Sequence, residues 1–257
     1  MTGRSEQRLT KRQQRLAEKT NRGVEKFPTI GQLNFNLSHI EPITENQKLA
    51  FNAYERGQHL CLLGSPGTGK TFLSIYNALK TISDRSSPQR KVVIVRTAQP
   101  SKQIGFLPGS DKEKLSVYEA AYKGIFSELY KRGDAYDVLK TKGMVEFVGT
   151  SFLRGITIDD AVIIIDEIQS MSFPEIFTIL SRLGSNSRLI ICGDANQDDL
   201  TSARFKEVTG LPKLKQVLSH MSSVESVYFG TEDIVRSGFV KDLIIAFEKT
   251  GLSVLDL

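Results

Sequence analysis

Cysteine and histidine are scarce in this sequence, and their scarcity excludes several kinds of site. The 257 residues include two cysteines, Cys61 and Cys192, and three histidines. Two cysteines are too few for a disulfide framework or a four-cysteine zinc site, and the histidines lie far apart without metal-ligand spacing. Both cysteines fall in apolar, strand-like runs, which predicts buried and reduced thiols.

Long apolar runs are also lacking. No stretch approaches the roughly 18 consecutive apolar residues of a membrane span. The basic N-terminal residues are not followed by the apolar segment of a secretory signal. The sequence therefore predicts a cytoplasmic protein that has no membrane partner.

The charge is distributed unevenly along the chain. Its formal net charge is +5, and residues 1–26 account for this excess with eight basic and three acidic residues. The rest of the chain carries as many acids as bases, so the overall basicity gives no evidence for a basic channel in the body. We predict a basic, flexible tail and lead-in over residues 1–40 and one globular domain over residues 41–257.

Strand-like and helix-like segments alternate after residue 44. A helix is predicted to begin after Thr44, which fits a capping box with Gln47. Several strand-like runs are apolar nearly from end to end, as in parallel strands that are buried on both faces. The alternation predicts an α/β fold, with a mostly parallel sheet and helices on both faces. The predicted strands are His59–Leu63, Lys91–Val95, Met144–Val148, Ala161–Ile165, Arg188–Cys192 and Val224–Phe229, and the other predicted helices are 70–82, 114–131, 174–183, 212–220 and 239–249.

The strongest motif follows the first predicted strand. Residues 64–71, GSPGTGKT, match the phosphate-binding pattern G-x-x-x-x-G-K-[ST] between a strand and a helix. Such glycines allow main-chain N–H groups to surround a phosphate at the positive end of a helix. Lys70 is predicted to reach the β and γ phosphates of ATP and Thr71 to ligate Mg²⁺, whereas a chance glycine-rich turn is the alternative. The predicted nucleotide-binding residues here are Gly64, Ser65, Pro66, Gly67, Thr68, Gly69, Lys70, Thr71 and Phe72.

Two further predicted strands end in polar residues. Asp166 and Glu167 follow one of them; Asp166 is predicted to hold Mg²⁺ through a water and Glu167 to polarise the hydrolytic water. The string GDANQ at 193–197 follows another, and the amide of Gln197 is predicted to read the γ-phosphate and position water. Because ligands bind beyond the carboxyl ends of such strands, we expect these groups in one crevice. The alternatives are an acidic first turn of a helix for the pair and an ordinary turn for GDANQ.

Together, GSPGTGKT, IIIDEIQ and GDANQ resemble the first RecA-like domain of superfamily 1 helicases and, more closely, the PhoH-like family of P-loop ATPases. The resemblance spans about residues 41–250. It implies a single RecA-like core, ATP hydrolysis, a homo-oligomeric ring (hexameric in the family) and action on RNA or single-stranded nucleic acid. Further family strings are GFLPG at 105–109, FLRG at 152–155, LSRLG at 180–184 and DIVR at 233–236, and the family pattern is altered at 96–100, 168–170 and Ser237.

The source of a catalytic arginine is left open by the sequence. Phosphoryl transfer is accelerated by a cation on the developing charge, which superfamily 1 helicases supply from a second RecA-like domain. No second phosphate-binding loop follows Gln197, so we expect the arginine from the same subunit or from a neighbour. Arg182 and Arg236 are the candidates, and a surface ion pair is the alternative for each.

Gln47 is the candidate for recognising the adenine base. It lies 17 residues before Gly64, where related helicases carry a glutamine that contacts adenine. A role in capping the helix after Thr44 is the competing interpretation.

The sequence evidence for nucleic acid is modest. Lys102, Lys112 and Lys114 surround the GFLPG string, where Phe106 offers a stacking face, although a structural loop solvated by lysines fits equally well. Three classes stay open: an oligomeric ATPase acting on nucleic acid, an ATP-dependent switch acting on a protein partner, and a P-loop kinase of a small molecule. The GDxxQ string disfavours the kinase.

Overall fold

The structure is a computed structural model that describes residue 33 and residues 35–97, 111–153, 155–194 and 209–250. For residues 111–115 and 248 it describes the backbone alone. The predicted basic tail, the GFLPG string with Phe106, and Gln197 lie outside the described residues.

Six parallel strands form one sheet in the order β3-β2-β4-β5-β1-β6. Because all strands run the same way, their carboxyl ends lie along a single edge. Strand β5 lies between β1 and β4, which carry the two strongest motifs at their ends. The strands are β1 His59–Gly64, β2 Lys91–Arg96, β3 Val145–Gly149, β4 Ala161–Ile165, β5 Arg188–Gly193 and β6 Val224–Phe229.

Helices cover both faces of this sheet. Helices α1 to α4 bury the face that carries the even-numbered side chains of the central strands, and α5 and α6 bury the other. The central strands are apolar on both sides because each face is covered, so their burial is nearly continuous. The helices are α1 Glu45–Glu55, α2 Lys70–Ser83, α3 Asp111–Tyr130, α4 Ala135–Thr141, α5 Phe173–Leu180, α6 Leu211–Leu218 and α7 Gly238–Thr250.

The predicted α/β fold is confirmed, and all six predicted strands are present with ends shifted by at most one residue. The predicted helices are also present, and Thr44 caps α1 by accepting a hydrogen bond from the Gln47 backbone. Helix α4 was not predicted. Its seven residues give too short an apolar pattern, although Tyr136 and Leu139 are fully buried.

The described part of the lead-in packs on the body. Phe35 is buried against the ring of Tyr130, with the centroids 5.2 Å apart, and the Ser38 N–H donates to the carbonyl of Leu129. The domain boundary at residue 41 stays a prediction. Within the described residues, no helix is both long enough and apolar enough to cross a membrane.

Candidate nucleotide-binding site

The phosphate-binding loop connects β1 to α2 at the carboxyl edge of the sheet. Gly64, Gly67 and Gly69 have φ angles of +135°, +76° and +85°, which side chains with a Cβ rarely adopt. At Gly64 an added Cβ would also lie 1.9 Å from the carbonyl oxygen of Phe229. The loop therefore depends on glycine for both its curvature and its close approach to β6.

Side chains within the loop stabilise its closed curve. The Thr68 hydroxyl is buried and donates to the carbonyl of Ser65 at 3.0 Å. Lys70 donates to the carbonyls of Gly64 and Ser65 at 2.9 and 2.7 Å, so its ammonium group lies over the centre of the loop. Pro66 is exposed. Phe72, in the first turn of α2, is partly buried and packs against the hydrophobic core.

The electrostatics of Lys70 come from opposing effects. Burial lowers its pKa, and the nearby Asp194, Cys192, Glu167 and Asp166 offset this only in part. The lysine thus holds its charge at a partly desolvated position, where a bound anion is attracted more strongly than in water. This arrangement suits a phosphate group.

The side chains of Thr71 and Asp166 contact each other at the carboxyl edge of the sheet. The Thr71 hydroxyl, in the first turn of α2, lies 3.2 Å from both carboxylate oxygens of Asp166, which follows β4. Hydroxyl and carboxylate oxygens are the ligands that suit Mg²⁺. In the described part of the chain, no group of three or more acidic, histidine or cysteine side chains could hold a metal. The Thr71 hydroxyl and the Asp166 carboxylate are ligands that fit a Mg²⁺ ion bound together with nucleotide phosphates.

Glu167 has an unusual backbone conformation. Its φ and ψ of 56° and 47° lie in the left-handed region, which is costly for a residue with a Cβ and is common at functional sites. Its carboxylate accepts a hydrogen bond from the Gln169 amide at 2.6 Å, and the other end of that amide accepts from the Asp194 N–H at 3.0 Å. Gln169 thereby links the end of β4 to the end of β5, a connection that sequence reasoning missed.

Two residues outside the predicted set surround Asp166. The Tyr122 hydroxyl, on α3, donates to Asp166 Oδ2 at 2.7 Å. Burial raises the pKa of Tyr122 well above its usual value and the Asp166 charge raises it further, so the hydroxyl stays a donor. The Arg96 guanidinium lies 4.2 Å from the centroid of the Tyr118 ring; burial lowers its pKa, but Tyr122, Glu167 and Asp166 raise it by more.

Gln47 lies directly against the phosphate-binding loop. Its amide nitrogen donates to the carbonyl of Thr68 at 3.2 Å, and its amide oxygen accepts from the Ile43 N–H at 2.9 Å. The side chain is buried. It therefore supports both the loop and the start of α1, and these contacts use one donor and one lone pair of an amide that has two of each.

The two candidate arginines occupy different edges of the sheet. The side chain of Arg236 lies over the loop, since a Cβ at Gly67 would be 2.8 Å from its Cγ. Arg182 follows α5 and its carbonyl accepts from Ile158, which precedes β4. The backbone of Arg182 therefore lies near the amino end of β4, whereas Asp166 follows its carboxyl end, a strand length of about 16 Å away. The structure brings Arg236, and not Arg182, to the loop of its own subunit.

Comparisons with known proteins assign the chain to a family. A sequence model described as "PhoH-like protein" matches residues 39–248. The chain belongs to the PhoH-like family. It is 30% identical over 208 residues to the PhoH-like protein of Bacillus subtilis (strain 168), covering 80% of this chain and 63% of that protein. It is also 30% identical over 216 residues to Protein PhoH of Escherichia coli (strain K12), covering 82% and 59%.

The family membership confirms the resemblance, and the fold is that of a P-loop NTPase. The chain spans about three fifths of the length of these two relatives. Among solved structures it is similar to the large terminase of the thermophilic bacteriophage D6E in complex with ADP (TM-score 0.43, 12% identity, 79% of this chain and 49% of that one). It is also similar to the Pif1 helicase of Candida albicans (TM-score 0.36, 16% identity, 74% and 40%).

Proposed function

We propose that this PhoH-like chain hydrolyses ATP in a Mg²⁺-dependent reaction and acts as an oligomeric ring on RNA or single-stranded nucleic acid. The observation that carries the hydrolysis is the meeting of Thr71 with Asp166, 95 residues apart in sequence, directly beside the loop that Lys70 closes. Glu167, the next residue after Asp166, has its carboxylate held at the same strand end.

The residues divide the work of phosphoryl transfer. The loop N–H groups and Lys70 hold the β and γ phosphates, with Lys70 exchanging its loop carbonyls for phosphate oxygens. Glu167 accepts a proton from a water that attacks the γ-phosphorus, and the bond from that phosphorus to the bridging oxygen breaks to give ADP and phosphate. Thr71 and Asp166 are the residues that would hold Mg²⁺, which supplies positive charge to the phosphate oxygens when bound. The Gln197 role stays a prediction.

Phosphate release from ATP, with and without Mg²⁺ and single-stranded RNA or DNA, tests this proposal. We expect Mg²⁺-dependent release in the wild type and none from Lys70→Ala, because the variant loses its phosphate contact. Stimulation by single-stranded nucleic acid of several fold supports the proposed substrate. Phosphate that appears on an added small molecule instead of in solution would indicate the kinase.

Nucleotide preference tests the proposed role of Gln47 toward adenine. If its amide reads the base, Gln47→Ala reduces the preference for ATP over GTP. If the amide serves only the loop and α1, the variant weakens both nucleotides equally and lowers thermal stability, because Thr68 and Ile43 lose their partner.

Subunit mixing distinguishes the two arginines. We propose that Arg236 acts on the nucleotide of its own subunit and Arg182 on that of a neighbour in the ring. A mixture of Lys70→Ala and Arg182→Ala subunits then regains about a quarter of wild-type activity, since random pairing restores one interface in four. A mixture of Lys70→Ala and Arg236→Ala subunits regains nothing. Rescue in both mixtures, or full activity of either arginine variant alone, contradicts this assignment.

The basic tail is the proposed source of non-specific nucleic-acid affinity. Deleting residues 1–26 removes the whole net charge of the chain. We expect basal hydrolysis to be retained and any nucleic-acid binding to weaken, with a shallower dependence on salt. Loss of basal hydrolysis would instead show that the domain begins before residue 27.

A switch acting through a protein partner is the second candidate, and helix α7 favours it. Phe239, Leu243 and Phe247 form an exposed apolar stripe at a spacing of four residues. On the same helix, Ile244 lies 3.5 Å from the Cβ position of Gly67 in the loop. Hydrolysis that nucleic acid does not stimulate, and that changes on replacing Phe239 and Leu243 with serine, would favour the switch.

A further inference from the structure

The Asp166 carboxylate has a second hydroxyl neighbour besides Thr71. The Tyr122 hydroxyl donates to Oδ2 at 2.7 Å, whereas the Thr71 hydroxyl is 3.2 Å from both oxygens. The Glu167 N–H donates to Oδ1 at 3.1 Å. The bond from Tyr122 is therefore the shortest of these contacts, and it distinguishes the two oxygens where Thr71 does not.

The rotation of a carboxylate is determined by which oxygen has the stronger donor. A hydrogen bond from a hydroxyl to an ionised carboxylate is stronger than one between neutral groups. With Oδ2 held by Tyr122, Oδ1 is turned toward the main chain at the end of β4. Without that bond, the carboxylate keeps only the longer contacts from Thr71 and the Glu167 N–H, which restrict its rotation about the Cβ–Cγ bond less.

Tyr122 is itself held rigidly. Its side chain is 2% exposed, and its ring packs on Phe147 of β3 with the centroids 5.2 Å apart. The Arg96 guanidinium, at the end of the neighbouring strand β2, is fixed over the Tyr118 ring one helical turn earlier in α3. A tyrosine has two rotatable side-chain bonds, so this packing places the hydroxyl within a narrow range.

From this geometry we propose that Tyr122 is a positioning residue that orients Asp166 for Mg²⁺-nucleotide binding. The inference rests on the proposed function, because it requires Asp166 to serve the metal. Tyr122 acts only through the carboxylate. Groups that hold a metal-ligating side chain in this way typically contribute 10- to 100-fold to metal affinity or activity.

Tyr122→Phe tests the inference, with Tyr130→Phe as the matched control. Both remove one hydroxyl from the same helix and keep the ring, but Tyr130 lies eight residues further along, about 12 Å away on the helix axis. The measurement is the affinity for a fluorescent ADP analogue, in EDTA and across a Mg²⁺ titration, with kcat and thermal stability as further readouts.

We expect Tyr122→Phe to raise the half-saturating Mg²⁺ concentration by about 10-fold or more and to lower kcat, with ADP affinity in EDTA within about twofold of wild type. Tyr130→Phe should match the wild type in all of these. A purely structural role for the Tyr122 hydroxyl would lower the melting temperature and leave the Mg²⁺ dependence unchanged, which overturns the inference. An equal loss of affinity in EDTA and in Mg²⁺ overturns it as well.

The wild type separates this inference from the function on which it rests. If wild-type affinity and hydrolysis do not depend on Mg²⁺ at all, the proposed function fails, whatever the variants do.

If Tyr122→Phe does not fold, Phe147→Leu tests the role of Tyr122 instead, because it retains the Tyr122 hydroxyl and loosens the ring contact on which Tyr122 packs. We then expect a several-fold rise in half-saturating Mg²⁺, and an unchanged value contradicts the role of Tyr122.

Discussion

The two edges of the sheet are made from the same strands but differ in how their polar groups are satisfied. At the amino-terminal edge, Arg188 stacks 3.5 Å above the Tyr54 ring and donates to the carbonyls of Tyr54 and Gln58. There, His59 Nδ1 accepts from the Leu189 N–H at 3.0 Å. These contacts join neighbouring elements to one another.

At the carboxyl-terminal edge, by contrast, charged side chains from several elements lie close to one another. Lys70, Asp166 and Glu167 lie close enough for the two acids to act on the pKa of the lysine, and Glu167 is held in a left-handed conformation. Strain and clustered charge of this kind cost stability and are retained where they serve a ligand. One edge therefore stabilises the fold, and the other carries the groups to which we assign the proposed chemistry.

Replacing Glu167 with glutamine should give the largest effect. This change should lower the activity and leave nucleotide binding and stability unchanged. The amide keeps the shape of the side chain and removes the proposed base, so we expect phosphate release to fall by about 10²–10⁴-fold. Binding of a fluorescent ATP analogue and the melting temperature should stay near wild type. Glu167→Gln with full activity would mean that another group accepts the proton.

Replacing Arg188 with leucine should lower the stability of the protein and leave its activity unchanged. Two backbone carbonyls lose a donor and the Tyr54 ring loses its cation, which together should lower the free energy of unfolding by about 2 kcal/mol. Urea unfolding measures this change. Because Arg188 lies at the amino edge, kcat of the folded variant should equal that of the wild type, and a large loss of kcat would contradict the separation of the two edges.

Replacing Gly193 with alanine should affect the site through packing. A Cβ there would lie 2.4 Å from Ile168 Cγ2 and 2.9 Å from Gln169 Oε1, so the amide that holds Glu167 must move. We expect kcat to fall about tenfold, with a loss of stability of about 1–3 kcal/mol from overpacking. Gly124→Ala is a suitable control in steady-state kinetics, because nothing described lies within 4 Å of its Cβ position. Equal kcat for both variants would show that Gln169 does not position Glu167.

The pH dependence of stability should show the smallest effect and should trace to the amino edge. Burial lowers the pKa of His59, and the Arg188 charge lowers it further. The folded state therefore resists protonation, and the stabilisation is present above the unfolded pKa of about 6.5 and lost as the pH falls below it. Urea unfolding at pH 7.5 and 5.5 should show a greater loss for wild type than for His59→Asn, which keeps an acceptor but does not titrate. A parallel loss in both proteins would assign the effect elsewhere.

Much of the fold and the centre of the site were predictable because they depend on local pattern. Apolar runs identified all six strands of the described residues, and the glycine pattern at 64–71 identified the loop because few other sequences allow its φ angles. Because ligands bind at the carboxyl ends of parallel strands, the residue order alone was enough to predict that Asp166 lies near Thr71.

The rest depended on contacts that a linear pattern does not contain. Tyr118, Tyr122, Phe126 and Tyr130 recur every four residues, which predicts a buried helical face but does not indicate that one hydroxyl reaches Asp166. The position of Arg182 depended on where the chain turns after α5, and a motif match does not specify that. Gln169 was visible in the family string, yet only the approach of β5 to β4 shows that it connects them.

Strand β5 also works as a molecular spacer between the loop and the acidic pair. Since it is inserted between β1 and β4, the two strand ends stand two inter-strand steps apart, about 10 Å. That separation is set by the hydrogen bonds between the strand backbones, whose length is the same for nearly every amino acid. Because this spacing does not depend on side-chain identity, we expect substitutions in the core to leave the distance between the phosphate-binding loop and the acidic pair unchanged.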